Sequence, residues 1–170
     1  MIANFQKPSF GFSIIEVLIV VAIASILTAI AIPAFNVFMG STRVSTVSNE
    51  FVSALNLARS EAIKRGGEVH VCRSSDGEDC ATSGPWGQGW LIADENDNLI
   101  RVREGLREPS TFAGNGTLAT NTNTRITFSR DGRVLENVDA SYLQVQSKGR
   151  SMCIRINSAG RVRSESGACS

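Results

Sequence analysis

The chain has 170 residues, 42% of them hydrophobic, with 17 Lys and Arg against 16 Asp and Glu and a net charge of +1. A balance so near zero excludes a uniformly basic protein, and the length suits one long helix plus one globular domain of about 105 residues. With one histidine, His70, the chain shows no Ser/His/Asp arrangement, no P-loop and no Gly-rich dinucleotide fingerprint, so no enzyme activity and no cofactor are expected.

The first element is an apolar run from Phe12 to Phe35 in which Glu16 is the only charge. A helix over that run would be roughly 36 Å long, enough to cross about 30 Å of hydrocarbon. A carboxylate deep in such surroundings costs about 2.5–3.5 kcal/mol, less near the interface, so Glu16 is a functional candidate. Lys7-Pro8-Ser9-Phe10-Gly11 followed by Phe12-Ser13-Ile14-Ile15-Glu16 resembles the prepilin leader and cleavage site of type IV pilins and type II secretion pseudopilins. The resemblance implies that a membrane prepilin peptidase cuts between Gly11 and Phe12 and methylates the new amino terminus at Phe12. Residues 1–11 are then a leader and 12–35 a transmembrane and filament helix. Because the cut precedes the apolar run, the run is retained, unlike that of a secretory signal. An amino group at Phe12 would lie four residues before Glu16, on nearly the same helix face. Carboxylate and ammonium attract strongly in low dielectric. The spacing therefore permits Glu16 to be neutralised by the amino terminus of a neighbouring subunit during assembly, the role the family assigns to this position.

The helix should continue beyond the membrane. Val44, Val47, Phe51, Leu55, Ala58 and Ala62 recur at three- and four-residue spacing, while Arg43, Glu50, Arg59 and Lys64 lie off that stripe. Gly66-Gly67 is a stop signal, and Lys64-Arg65 suits the negative end of a helix dipole. Residues 36–65 thus read as an amphipathic helix, and 12–65 would extend about 80 Å if fully helical. Pro33 should kink it.

From residue 66 to 170 the pattern turns to period two, with predicted strands at 68–73, 90–93, 99–103, 125–128, 142–146 and 152–156. Turn sequences at 94–98, 129–132 and 157–160 separate several of them. An antiparallel meander with one face on the helix follows, hence an α+β fold. The stretch from Pro109 to Thr124 reads as a long connection. His70, two residues before Cys72, has no spaced partner and reads as a strand residue rather than a metal ligand; no metal site is expected.

Leu57-Ala58-Arg59-Ser60-Glu61-Ala62-Ile63-Lys64-Arg65, then Val69-His70-Val71-Cys72 and Trp86-Gly87-Gln88-Gly89-Trp90, resemble the FimT/FimU and GspH branch of minor pilins and pseudopilins. The resemblance spans essentially the whole chain and implies the type IV pilin fold, with other pilin subunits as partners. It also implies a subunit held in the inner membrane before assembly, with its domain in the periplasm and later on the cell-surface pilus. In that oxidising compartment four cysteines suggest two disulfides. Three pairings are possible; Cys72–Cys80 and Cys153–Cys169 are preferred because each joins local segments and closes a polar loop.

Charge is unevenly placed. Glu68, Asp76, Glu78, Asp79, Asp94, Glu95 and Asp97 accompany a single base, Arg73, whereas Lys148, Arg150, Arg155, Arg161 and Arg163 fall in a stretch without acids. One end of the domain should be negative and the other positive. Gly160-Arg161-Val162-Arg163 puts both arginines on one strand face and Val162 toward the core. This G-R-x-R element resembles the DNA-binding tail of FimT-like pilins of natural transformation systems. The resemblance implies binding of double-stranded DNA through Arg161 and Arg163, with Lys148, Arg150 and Arg155 assisting and Gly160 letting the backbone come close. Few aromatics accompany these residues, so contacts to phosphate rather than base stacking are expected. Two other functions share the fold and the leader. One is a minor pilin that only primes or caps pilus assembly; the other is a type II secretion pseudopilin of the GspH type.

Overall fold

In the computed structural model the residues described are 13–106, 110–119 and 125–170. They divide into two compact units at the junction of Asn36 and Val37. Helix α1 (Ile14–Arg65) supplies the described part of the first unit and the first element of the second. Pro33 lies inside α1 without ending it. In the first unit every described residue is exposed, including Ile14, Leu18, Ile26, Ile30 and Phe35. Among the described residues one helix, α1, is by length and composition long and apolar enough to cross a membrane.

In the second unit α1 buries one stripe: Val44, Val47, Phe51, Ala54, Leu55, Ala58 and Ala62. Positions 54, 58 and 62 of that stripe are alanines, and Phe51 is its one aromatic residue, fully buried. Its ring meets those of Trp86, Trp90 and Phe112 edge-on at centroid distances of 5.2, 5.1 and 4.9 Å. Such pairs contribute about 0.5–1.5 kcal/mol each beyond their burial. The helix stops at Gly66, whose φ of 67° suits glycine and whose N–H returns to the Ala62 carbonyl at 3.0 Å.

Among the described residues eight strands follow: β1 (Val69–Arg73), β2 (Gly89–Asp94), β3 (Leu99–Glu104), β4 (Ser110–Gly114), β5 (Ile126–Phe128), β6 (Tyr142–Ser147), β7 (Arg150–Ile156) and β8 (Val162–Ser166). All pairings are antiparallel. They do not form the single meander expected from sequence. Two four-stranded sheets form instead, in the orders β3-β2-β1-β5 and β4-β6-β7-β8. The reason is that β5 returns to the free edge of β1, pairing Val69 with Phe128, and so closes the first sheet. The supposed connection from Pro109 to Thr124 supplies β4, an edge of the second sheet, and a short 3-10 turn at Gly116–Leu118. Phe112 on β4 is fully buried, which explains why so polar a segment is held as a strand.

Arg73, the lone base of the acidic stretch, is fully buried over the Trp86 ring, 5.7 Å from its centroid. Its Nη1 donates to the carbonyls of Gly84 and Ala119 at 2.8 and 3.0 Å, tying two loops to β1. Burial pushes its pKa down. Cys72 is bonded to Cys80 and Cys153 to Cys169.

Candidate functional site

The β7–β8 hairpin carries most of the candidate residues. Its register sets Arg155 opposite Arg163 and Ile156 opposite Val162. Residues directly opposite in an antiparallel pair share a face. Ile154, Ile156 and Val162 therefore turn inward to the core, while Arg155 and Arg163 stand on the outer face. Tyr142 on β6 faces Arg155 on that same side, and the guanidinium lies 5.6 Å from the centre of its ring. Arg155 also donates to the Ser170 carbonyl. Arg161 is exposed just before β8, and its backbone is locked by Asn157. The Arg161 N–H donates to Asn157 Oδ1 at 2.9 Å, and the Asn157 N–H donates to the Arg161 carbonyl at 3.2 Å. Arg155, Arg161 and Arg163 thus gather at one rim of the second sheet.

Lys148 and Arg150 are not part of that group. Lys148 and Gly149, with φ of 47° and 76°, form the tight β6–β7 turn at the opposite end of β7. From Arg150 to Arg155 the strand covers about 17 Å. Arg150 lines a groove with Ser41, Val44 and Ser45 of α1, and Lys148 packs near Gly40. A segment continuous in sequence is split because β7 runs the length of its sheet. The expected division into an acidic and a basic end fails too, because turns of both signs lie against the C-terminal part of α1. The acidic turn after β2 meets the helix end, where Arg65 Nη1 is 3.4 Å from Asp94 Oδ2, and the Arg161 turn meets that end too, through Arg59. Glu165 shares the outer face with Arg163, one step along β8.

Gly160 also departs from its expected role. It is buried, with φ of 73°, and a Cβ there would stand 2.2 Å from the Gly132 carbonyl oxygen. Its freedom serves the packing of two turns against each other, not the approach of a ligand. Sequence reasoning missed Arg59, seen only as a polar residue off the helix stripe. Its Nη1 and Nη2 donate to the Gly160 and Ala159 carbonyls at 3.1 and 3.3 Å. Nothing local signals a bond spanning 101 positions.

Among the described residues, His70, Cys72 and Cys80 are close enough together to hold a metal. Both sulfurs, however, are committed to their disulfide, which leaves His70 as the only free donor of the three. His70 is buried on β1, with Nε2 3.4 Å from Asp97 Oδ1 and a similar distance from Arg125 Nη1. Burial, then the Arg125 charge, depress its pKa against the pull of Asp97 and Asp94. Glu16 stands exposed in the first turn of α1, its N–H donating to the Ser13 carbonyl at 3.1 Å. Gly11 and Phe12 lie outside the described residues.

A family model described as type II transport protein GspH matches residues 47–160, and one for the prokaryotic N-terminal methylation motif matches residues 6–32. A fimbrial protein of Pseudomonas aeruginosa is 46% identical over 64 residues, a stretch that is 38% of this chain and 41% of that relative. The match therefore spans less than half the relative's length. The crystal structure of the type IV minor pilin FimU of Pseudomonas aeruginosa, strain PAO1, superposes with a TM-score of 0.57 at 19% identity, covering 74% of this chain and 90% of that one. A second crystal form of FimU gives 0.54. At that identity the likeness establishes the fold: a long N-terminal apolar helix on antiparallel sheets, as in type IV pilins.

Proposed function

The chain belongs to the GspH family and is a minor pilin or pseudopilin of the FimU/GspH type, and from that premise we propose that it displays a binding site for double-stranded DNA on an assembled pilus. The observation that carries the proposal is the rim where Arg155, Arg161 and Arg163 gather on an outward-facing hairpin. Guanidinium groups form two-pronged bonds to phosphate oxygens, and contacts to phosphate alone give binding indifferent to sequence. In this reading the leader is cut between Gly11 and Phe12, and Phe12 is methylated. The apolar half of α1 holds the subunit in the inner membrane until Glu16 meets the amino terminus of a neighbouring subunit in the filament. The bound DNA is exogenous and destined for uptake, the character of FimT-like pilins.

A second reading has its own support: the matching family model is described as a type II transport protein, which favours a secretion pseudopilin that binds no DNA. Titration of the full chain in non-ionic detergent against two unrelated labelled duplexes separates them. The DNA reading expects equal affinity for both, with log K falling against log salt by about 0.9 per phosphate contact. An absence of binding at low salt removes that reading and leaves the pseudopilin or a structural minor pilin.

A further inference from the structure

Resting on the DNA reading above, we infer that the site has a second half: the turn Ser129–Arg133, whose Arg130 and Arg133 make phosphate contacts together with Arg161 and Arg163. The two turns are far apart in sequence and meet at their glycines. A Cβ on Gly160 would collide with the Gly132 carbonyl oxygen, and one on Gly132 would stand 3.0 Å from Arg59 Nε. Val134 N–H donates to the Ser158 carbonyl at 3.0 Å, joining the exit of the first turn to the second turn itself. Each turn is also closed on itself, by Ser129 N–H to the Arg133 carbonyl at 2.9 Å and by Gly160 N–H to the Asn157 carbonyl at 2.8 Å. Two rigid loops therefore present Arg130, Arg133 and Arg161 from one continuous ridge, all three exposed. Preorganised donors of this kind lose little entropy on binding.

Arg59 adds a further positive charge beneath the ridge. Its guanidinium sits between the two turns and is bonded there only to the Ala159 and Gly160 carbonyls, while Nε is buried without an acceptor. Among the described residues no carboxylate pairs with it. A positive charge that is partly desolvated and uncompensated projects further than one in water. The ridge also carries two carboxylates: Asp131, which the Ser129 hydroxyl and the nearby Arg133 charge keep below the usual range and so ionised, and Asp139, which accepts from the Ser158 N–H at 2.8 Å. Arg59, Arg130, Arg133 and Arg161 outnumber them. A polyanion laid along the ridge would touch both turns.

The test compares the full chain in non-ionic detergent with Arg130→Gln/Arg133→Gln and with Arg161→Gln/Arg163→Gln, each titrated with duplex DNA at several salt concentrations. Loss of two phosphate contacts should flatten the log–log slope by about 1.8 and weaken binding by about tenfold or more at low salt. The inference expects this of both double variants. A single charge reversal, Arg130→Glu, should weaken binding further than Arg130→Gln does, and it retains the rest of the turn. If the wild type binds and Arg161→Gln/Arg163→Gln impairs it while Arg130→Gln/Arg133→Gln keeps the wild-type slope, the second half is wrong and the DNA reading stands. If the wild type binds no DNA, both fall.

Discussion

Gly160 shows how one residue can be read correctly for conformation and wrongly for purpose. A turn glycine before two arginines suggests a backbone held open for a ligand, yet its missing side chain is needed by Gly132 and Arg59. Gly160→Ala should therefore destabilise the domain by about 2 kcal/mol or more, from a left-handed conformation plus a backbone clash. A drop in the urea midpoint checks it; an unchanged midpoint would show that the two turns can part freely. His70 makes a second prediction at this scale. Burial lowers its folded pKa, so the unfolded chain takes up the proton first as pH falls. The contribution of His70 to stability is present above about 6.5, the ordinary histidine value, and is lost as pH drops from there through the folded value. The denaturation midpoint should fall between about pH 7.5 and 5.5, and should fall less in His70→Gln. Asp97 and Arg125 face the ring; a midpoint rising toward pH 5.5 would mean that Asp97 outweighs burial.

At the scale of elements, periodicity was the reliable signal. The stripe from Val44 to Ala62 is the buried face of α1, and each predicted strand overlaps an observed one because alternation or a continuous apolar run marks a half-buried or buried strand. β4 was invisible because only Phe112 in Ser110–Gly114 is a strong apolar residue and its value depends on Phe51, Trp86 and Trp90 far away in sequence. The division into two sheets was invisible for the same reason: which edge β5 takes is decided by tertiary packing, not by its three residues. The position of Lys148 was lost with the β6–β7 turn, a pair of positive φ angles that Lys-Gly does not advertise as Asn-Gly would. The disulfide Cys153–Cys169 ties the tail to β7, and Cys169 N–H donates to Gln144 Oε1 on the neighbouring β6 at 3.1 Å. With a sequence separation of 16, its closure should contribute about 3 kcal/mol, chiefly by restricting the unfolded chain. Cys153→Ser/Cys169→Ser should lower the midpoint accordingly while Arg161 keeps its Asn157 lock; an unchanged midpoint would show that the tail is ordered without it.

For the whole molecule, fold and family followed from the apolar helix and the order of motifs behind it, whereas the arrangement of charge did not. A run of bases without acids looked like one patch and is two, because a strand carries its ends to opposite rims. That separation turns the proposed function into a sharp comparison within one protein. Arg161→Gln/Arg163→Gln and Lys148→Gln/Arg150→Gln each remove two positive charges, so any general loss of electrostatic attraction is the same in both. The most direct measurement is a fluorescence-anisotropy titration of a labelled duplex with the full chain and these two variants at low salt. The account predicts that the first variant loses about tenfold or more in affinity and about 1.8 in salt slope, while the second stays close to wild type. Equal losses in the two variants, or none in the first, would contradict it.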